Sequence, residues 1–255
     1  MFRRLDKTYD LNENVICNIL KDEANPLNRI SKMIPDNSKV LDIGAGNGIL
    51  AIVLNKEHSN LIIDGIEPNS YAANIARKNY RFFFQGFAHE FYDIIMNENY
   101  DFIVFADVIE HMEDPASYLS DLCSNLSYNT KIVLTIPNIA FGAIRISLLN
   151  GAFDYVESGI LEKTHLRFFT LKSLKQLVCD IDLNIESLYF LQRNFFNTEI
   201  NLKRCNTNFF CIRKILKDDL SSTYQFLLVL TKKNVETELK YFGSKTKYNF
   251  FTIFY

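Results

Sequence analysis

The chain has 255 residues, 48% of them hydrophobic and 23% charged, enough to bury a sizeable core without staples. Its formal net charge of −2 gives no overall basic footprint for nucleic acid. Five scattered cysteines (Cys17, Cys123, Cys179, Cys205, Cys211) form no CxxC pair. The basic start Met1–Lys7 has no apolar run behind it, and no stretch of 18 apolar residues occurs. The expectation is a cytoplasmic protein with reduced thiols, no signal peptide and no transmembrane helix.

Residues 1–38 are polar with short apolar groups and read as an N-terminal helical cap. Within them, Asn25-Pro26 opens a helix through Ile34 that Pro35 ends. A strand over Lys39–Ile43 stops at glycines, and a helix begins at Ile49. A second strand, Leu61–Glu67, ends at Pro68, and Ser70–Lys78 is helical. Arg81–Phe84 and Asp101–Ala106 read as strands three and four. Asp114 then caps a helix whose first residue is Pro115, and Lys131–Ile136 is strand five, ended by Pro137. The connection 138–170, rich in Phe and Gly, is too long for a structureless loop in a compact domain and reads as a functional cap over the carboxyl ends of the strands. A helix over Leu171–Cys179 and strands at Ile185–Leu191 and Tyr224–Thr231 complete a main domain spanning 39–235. The aromatic tail 236–255 offers either a homodimer contact or a cover for the sheet. Apolar strands alternating with helices predict an α/β fold, with a mostly parallel sheet covered by helices on both faces.

The first strand-to-helix turn carries Asp42, Gly44, Ala45, Gly46 and Gly48. Glycines there let the backbone turn sharply and approach a ligand. Glu67, ending the second strand, is placed to take both hydroxyls of a ribose. A dinucleotide site prefers G-x-G-x-x-G, whereas this loop is G-x-G-x-G with Ile49 following. Asp42 would repel a pyrophosphate but suits a ligand with an ammonium and a sulfonium. That disfavours an NAD-binding oxidoreductase and points to S-adenosylmethionine, with S-adenosylhomocysteine as product.

Val40–Gly48 resembles motif I of class I methyltransferases, and Gly65-Ile66-Glu67-Pro68-Asn69 resembles their second motif. Tyr100–Pro115, which includes Ala106 and Asp107, and Leu134–Asn138 resemble the fourth and fifth. The resemblance implies a Rossmann-like sheet of seven strands with the last antiparallel. It also implies Asp42, Gly44, Ala45, Gly46, Gly48, Glu67, Pro68, Ala106 and Asp107 as cofactor-binding residues. The family often carries Gly-Asp after the third strand, whereas this chain has Gln85-Gly86-Phe87. The segment Gly159–Thr170 is similar to methyltransferases encoded with bacterial surface-polysaccharide genes. It implies as acceptor a small or nucleotide-linked glycan precursor, methylated at a sugar hydroxyl or at an anionic group such as a phosphoramidate. The alternatives are a quinone-type hydroxyl and a non-catalytic nucleoside-binding member.

Asp107, Glu110 and His111 follow the fourth strand, beside the place of the transferred methyl. In one reading His111 is a general base for an acceptor hydroxyl. In another, Asp107, Glu110, His111 and the distant His165 hold a divalent metal. The E-x-x-E-H pattern of ubiquinone-pathway O-methyltransferases and small-RNA 2′-O-methyltransferases resembles this set, but Asp107 is a carbon shorter than their first Glu, which favours the metal-free base. In the third reading, Glu110 and His111 only satisfy backbone donors around Asp114-Pro115. Arg167 is either a clamp for an anionic acceptor or a surface ion pair. His58 and His89 read as surface residues without partners.

Overall fold

The computed structural model describes residues 11–195, 197–202, 208–233 and 239–243. Two short helices precede the sheet. In α1 (Glu13–Lys21) the Asn12 side chain accepts from the Val15 N–H, and in α2 (Pro26–Ser31) Asn25 caps and Pro26 occupies the first position. Helix α2 stops at Ser31, short of the expected Ile34; the chain turns instead, with the Met33 N–H on the Ile30 carbonyl. Ile16 and Ile19 of α1 pack against Ile49 and Val53, which tethers this segment to the first crossover helix.

The sheet then builds by alternation. β1 (Lys39–Ile43) leads into α3 (Ile49–Glu57), and β2 (Ile62–Glu67) into α4 (Ser70–Ala76). β3 (Phe83–Gln85), α5 (Tyr92–Asn97), β4 (Phe102–Ala106), α6 (Pro115–Asn125) and β5 (Lys131–Pro137) follow. After the cap helix α7 (Gly142–Leu149) come α8 (Leu171–Asp180), β6 (Leu183–Gln192), α9 (Phe209–Leu216), β7 (Thr223–Lys232) and β8 (Lys240–Phe242). The strand order is β3-β2-β1-β4-β5-β7-β6-β8.

Among the described residues, eight strands stand where seven are expected. β7 runs antiparallel to both β5 and β6, while every other pairing is parallel. The extra strand comes from the tail: Tyr241 stacks on Phe190 and Phe242 on Tyr189, and the backbone between them joins the β6 edge. The rest of the tail lies outside the described residues.

The period of two in the strands sorts the core into two layers. Leu41, Ile103, Phe105 and Leu134 face α6 and α8 through Leu119, Leu122, Leu174 and Val178. Val40, Ile63, Val104 and Val133 face α2, α3 and α4 through Ile30, Leu50, Leu54 and Ala73. The carboxyl ends of β1, β2 and β4 therefore open on one side of a sheet closed on both faces, where ligands bind in such folds.

A third cluster belongs to the cap. Phe141 and Ile144 of the 138–170 connection pack with Ile160, with Phe195 and Ile200 from the link between β6 and β7, and with Ile215 of α9. That link is thus not a plain hairpin; it furnishes the wall on which α7 rests.

Close packing makes one glycine of β2 testable. A Cβ on Gly65 would lie 2.8 Å from both the Tyr80 and Phe83 rings. G65A should destabilise the protein by about 1–3 kcal/mol, as overpacking does. An unchanged urea midpoint would show that these rings can move aside.

Candidate active site

The glycine loop is held open by β2. The amides of Gly44 and Ala45 both donate to the Ile66 carbonyl, at 2.9 and 3.0 Å. Gly44, Gly46 and Gly48 all have positive φ. Their surroundings differ. A Cβ on Gly44 would strike the Val108 side chain at 2.7 Å, whereas a Cβ on Gly46 meets nothing within 4 Å. Gly46 therefore shows bare backbone to open space, and Gly44 brings the loop against the segment after β4.

Glu67 sits beneath this loop. Its Oε2 accepts from the Gly46 N–H and its Oε1 from the Asn69 N–H, each at 2.8 Å. A carboxylate has about four lone-pair sites, so each oxygen can accept one more hydrogen bond. Burial raises the Glu67 carboxyl above its ordinary range, and the two amides pull it back. Pro68 is exposed at the strand end, and Ala45 is buried under the loop. Ala106, the last residue of β4, is half-buried.

Asp42 does not point freely into the opening. It is 2% exposed, and its Oδ2 accepts from the Tyr80 hydroxyl at 2.7 Å. Burial above all pushes its carboxyl up to about 7; the Tyr80 hydrogen bond opposes this and the Glu67 charge adds to it. Tyr80 is a functional neighbour that the sequence pattern does not announce.

The acidic-histidine cluster divides. Asp107, at φ +57°, turns towards the sheet: its Oδ1 accepts from the Thr135 hydroxyl at 2.8 Å and from the Gln225 amide. Glu110, His111 and His165 come together without it, with their ligand-capable atoms all within 4.8 Å of one another. The two imidazoles meet edge to face at 4.7 Å. Each has its Nδ1 on a carbonyl, Thr164 for His111 at 3.1 Å and Ile160 for His165 at 2.9 Å. A carbonyl only accepts, so both Nδ1 atoms carry the proton and both lone pairs lie on Nε2. The His165 Nε2 lies 4.0 Å from Glu110 Oε1.

Glu110 is 1% exposed, and among the described residues neither carboxylate oxygen has a hydrogen-bond partner. Asp64 shows the ordinary alternative. It is 0% exposed, yet accepts from Arg81, the Phe82 N–H and the Tyr100 hydroxyl. Burial, then the charges of Asp107 and Glu162, drive the Glu110 carboxyl well above its ordinary range. The reading in which Glu110 satisfies donors at the next helix is overturned, because Asp114 itself caps α6 by accepting from the Ser117 N–H.

The cap brings His165 into place through the backbone. The Leu166 and Arg167 amides both donate to the Glu110 carbonyl, at 2.8 and 3.0 Å. Among the described residues the Arg167 side chain makes no carboxylate pair; it donates to the Glu113 carbonyl through Nε at 3.0 Å and also through its terminal nitrogen. His58 is not the partnerless residue expected, since it bridges Asp36 at 2.6 Å and the Ser31 carbonyl at 3.0 Å. His89 is exposed and stacks on Phe87 at 5.7 Å.

The parallel sheet, the glycine loop and an acid ending the second strand define a Rossmann-like methyltransferase fold. Residues 19–188 match the family model described as "Methyltransferase domain", so the chain belongs to that family. Curated relatives include a ubiquinone biosynthesis O-methyltransferase of Rickettsia felis, 23% identical over 164 residues, covering 63% of this chain and 64% of that protein. One of the same name from Rickettsia typhi is 22% identical over 187 residues, covering 72% and 73%. The chain thus spans somewhat less than two thirds of the Rickettsia felis protein. Among solved structures, an Archaeoglobus fulgidus S-adenosylmethionine-dependent methyltransferase superposes with a TM-score of 0.56 at 18% identity, covering 88% of this chain and all of the other. The magnesium protoporphyrin IX methyltransferase of Synechocystis with bound S-adenosylhomocysteine gives 0.54 at 13% identity, covering 89% and 90%. Among the described residues, no helix is long and apolar enough to cross a membrane.

The buried Asp42 makes stability depend on pH. An unfolded Asp42 ionises near 3.8, whereas the folded one holds its proton to about 7. Between those values the folded state binds more protons, so stability falls as pH rises and levels off above about 7. D42N removes this dependence. Its thermal midpoint should gain on the parent at pH 8 relative to pH 4. Equal differences at both pH values would show that Asp42 ionises freely when folded.

Proposed function

We propose that this chain transfers the methyl group of S-adenosylmethionine to a hydroxyl oxygen of a small molecule, with Glu110, His111 and His165 at the acceptor. One contact carries the reading. Gly44 of the cofactor loop packs on Val108, and Val108 opens directly into the tight turn Ile109–His111. This contact supports placing the cofactor loop and the histidines side by side.

In this reading Glu67 accepts from the ribose hydroxyls with the lone pairs left over from Gly46 and Asn69. Asp42 supplies negative charge behind the loop once it ionises, and a cationic ligand beside it favours the ionised form. Gly44, Ala45, Gly46 and Gly48 shape the cradle, and Pro68, Ala106 and Asp107 line its edge. The acceptor oxygen attacks the methyl carbon in line with the sulfur. The sulfonium leaves as the neutral thioether of S-adenosylhomocysteine, and the acceptor proton passes to an imidazole Nε2, His111 being the less buried of the two. Arg167 shapes the cap beside the acceptor through Glu113.

The quinone-type acceptor is preferred to the surface glycan. The names of the curated relatives support a ring hydroxyl. So does the aromatic setting, with Phe168 6.3 Å from the His165 ring and Phe153 5.7 Å from Phe168.

A second reading is favoured by the Glu110 carboxylate, which is buried without a hydrogen bond beside two imidazole lone pairs. Two nitrogens and one carboxylate suit a divalent ion of the Mg, Mn, Fe or Zn type. Such an ion would lower the pKa of a hydroxyl bound to it.

Three measurements test these statements. Calorimetry should show binding of S-adenosylmethionine and S-adenosylhomocysteine but not NAD; failure to bind the first two would sink the proposal. E67A should weaken the methyl donor tenfold or more, since charge-assisted hydrogen bonds are worth about 1.5–3 kcal/mol each. Its melting point should fall as well, because Gly46 and Asn69 lose their acceptor. Finally, radiolabelled methyl transfer to a catechol should survive a chelator if His111 alone takes the proton. It should stop, and return with added metal, if the three residues hold an ion.

A further inference from the structure

The His165 ring is not held by its own loop alone. Its Nδ1–H donates to the Ile160 carbonyl, and the Ile160 N–H donates in turn to Glu199 Oε1 at 2.8 Å. Glu199 lies 39 residues further along the chain, in the link between β6 and β7. The Tyr224 hydroxyl, at the start of β7, reaches both Glu199 oxygens at 3.0 Å. The Ile160 backbone thus takes a carboxylate on its N–H and an imidazole of the candidate site on its C=O, two groups that flank a single Cα, so whatever fixes the N–H also fixes where the carbonyl points.

The packing leaves this arrangement little freedom. Gly159 has φ +106°, and a Cβ there would lie 2.1 Å from Glu199 Oε1, so the backbone before Ile160 runs directly against the carboxylate. Ile160 is fully buried, in the same cluster as Phe141 and Phe195. Tyr224 is held edge to face by Phe141 at 5.4 Å, with the Arg193 guanidinium over its ring at 5.5 Å.

We propose that Glu199 is a positioning residue for His165, holding the Ile160 backbone in place so that its carbonyl fixes the ring and tautomer of His165 in the Glu110–His111–His165 group. The proposal rests on the role given to that group above. In this arrangement the β6–β7 link serves the site as an outer shell. It does so without approaching the acceptor, by tying a backbone carbonyl that orients an imidazole, and supports of this kind matter to a site roughly tenfold to a hundredfold.

The test uses the full chain labelled with ¹⁵N-histidine, at a pH above 8 where imidazoles are neutral, with H165Q to assign the signal. The parent should show His165 as a single Nδ1–H tautomer. E199A should turn it into a mixture of tautomers. E199Q should restore the single form, because its amide oxygen still accepts from the Ile160 N–H. Y224F, which deletes one hydroxyl, should give a smaller shift in the same direction and guards against misfolding of E199A. A single unchanged tautomer in E199A, or in Y224F if E199A does not fold, overturns the proposal. The reading of the site fails separately: H165A would then methylate catechol as fast as the parent, whatever the spectra of the Glu199 variants show.

Discussion

The Glu110 carbonyl is the point on which the histidine side of the molecule turns. It accepts two consecutive amides of the cap, from Leu166 and Arg167, and so fixes a segment more than fifty residues away in sequence to the turn after β4. The arrangement of the two histidines follows from that pairing. His165 is brought beside His111, the Thr164 carbonyl falls within reach of the His111 Nδ1, and Arg167 finds the Glu113 carbonyl. The side chain of the same residue is the least satisfied charge in the described core. Burying a carboxylate without partners costs several kcal/mol, and the group meets that cost by holding a proton or gaining a cation. Backbone and side chain of one residue thus do opposite things, the first locking the cap and the second leaving unsatisfied chemistry inside it.

The cofactor side is organised by the same economy of partners. Glu67 joins the loop after β1 to the turn after β2 through two amides, yet keeps half its accepting capacity. Asp42 is tied to Tyr80 and stands behind the loop rather than within it. The two acids are therefore not equivalent: Glu67 keeps accepting capacity beside the loop, while Asp42 is closed off behind it by Tyr80.

The sheet and its first crossovers are legible in the sequence because local signals agree there. Lys39–Ile43 is an apolar run stopped by glycines, and Asp114-Pro115 carries both a cap and a helix-opening proline; each element begins where those signals place it. The helices missed, α1, α5, α7 and α9, are short and owe their stability to what they pack on, which no local pattern records. The site residues divide the same way. Gly44, Gly46 and Glu67 sit in one contiguous motif. Tyr80 meets Asp42 across 38 residues, Gln225 meets Asp107 across 118, and Glu199 meets Ile160 across 39, so nothing near any of them in sequence marks the pairing. Asp107 is a metal ligand in one reading of the sequence, where its shorter side chain already counts against it; in the structure its positive φ and its bonds to Thr135 of β5 and Gln225 of β7 turn it away.

The two rims of the sheet share a property. β3 at one end and β8 at the other are each only three residues long, while the strands they cover, β2 and β6, have six and ten. A long bare strand is a template on which a neighbouring molecule can add its own. Here the outermost rows are short, and over Ser187–Tyr189 the edge of β6 is already taken by β8, which the rings of Tyr241 and Phe242 fasten down. The aromatic residues that close the described chain therefore act as a selvedge, the finished border that keeps a woven sheet from being extended into a fibre.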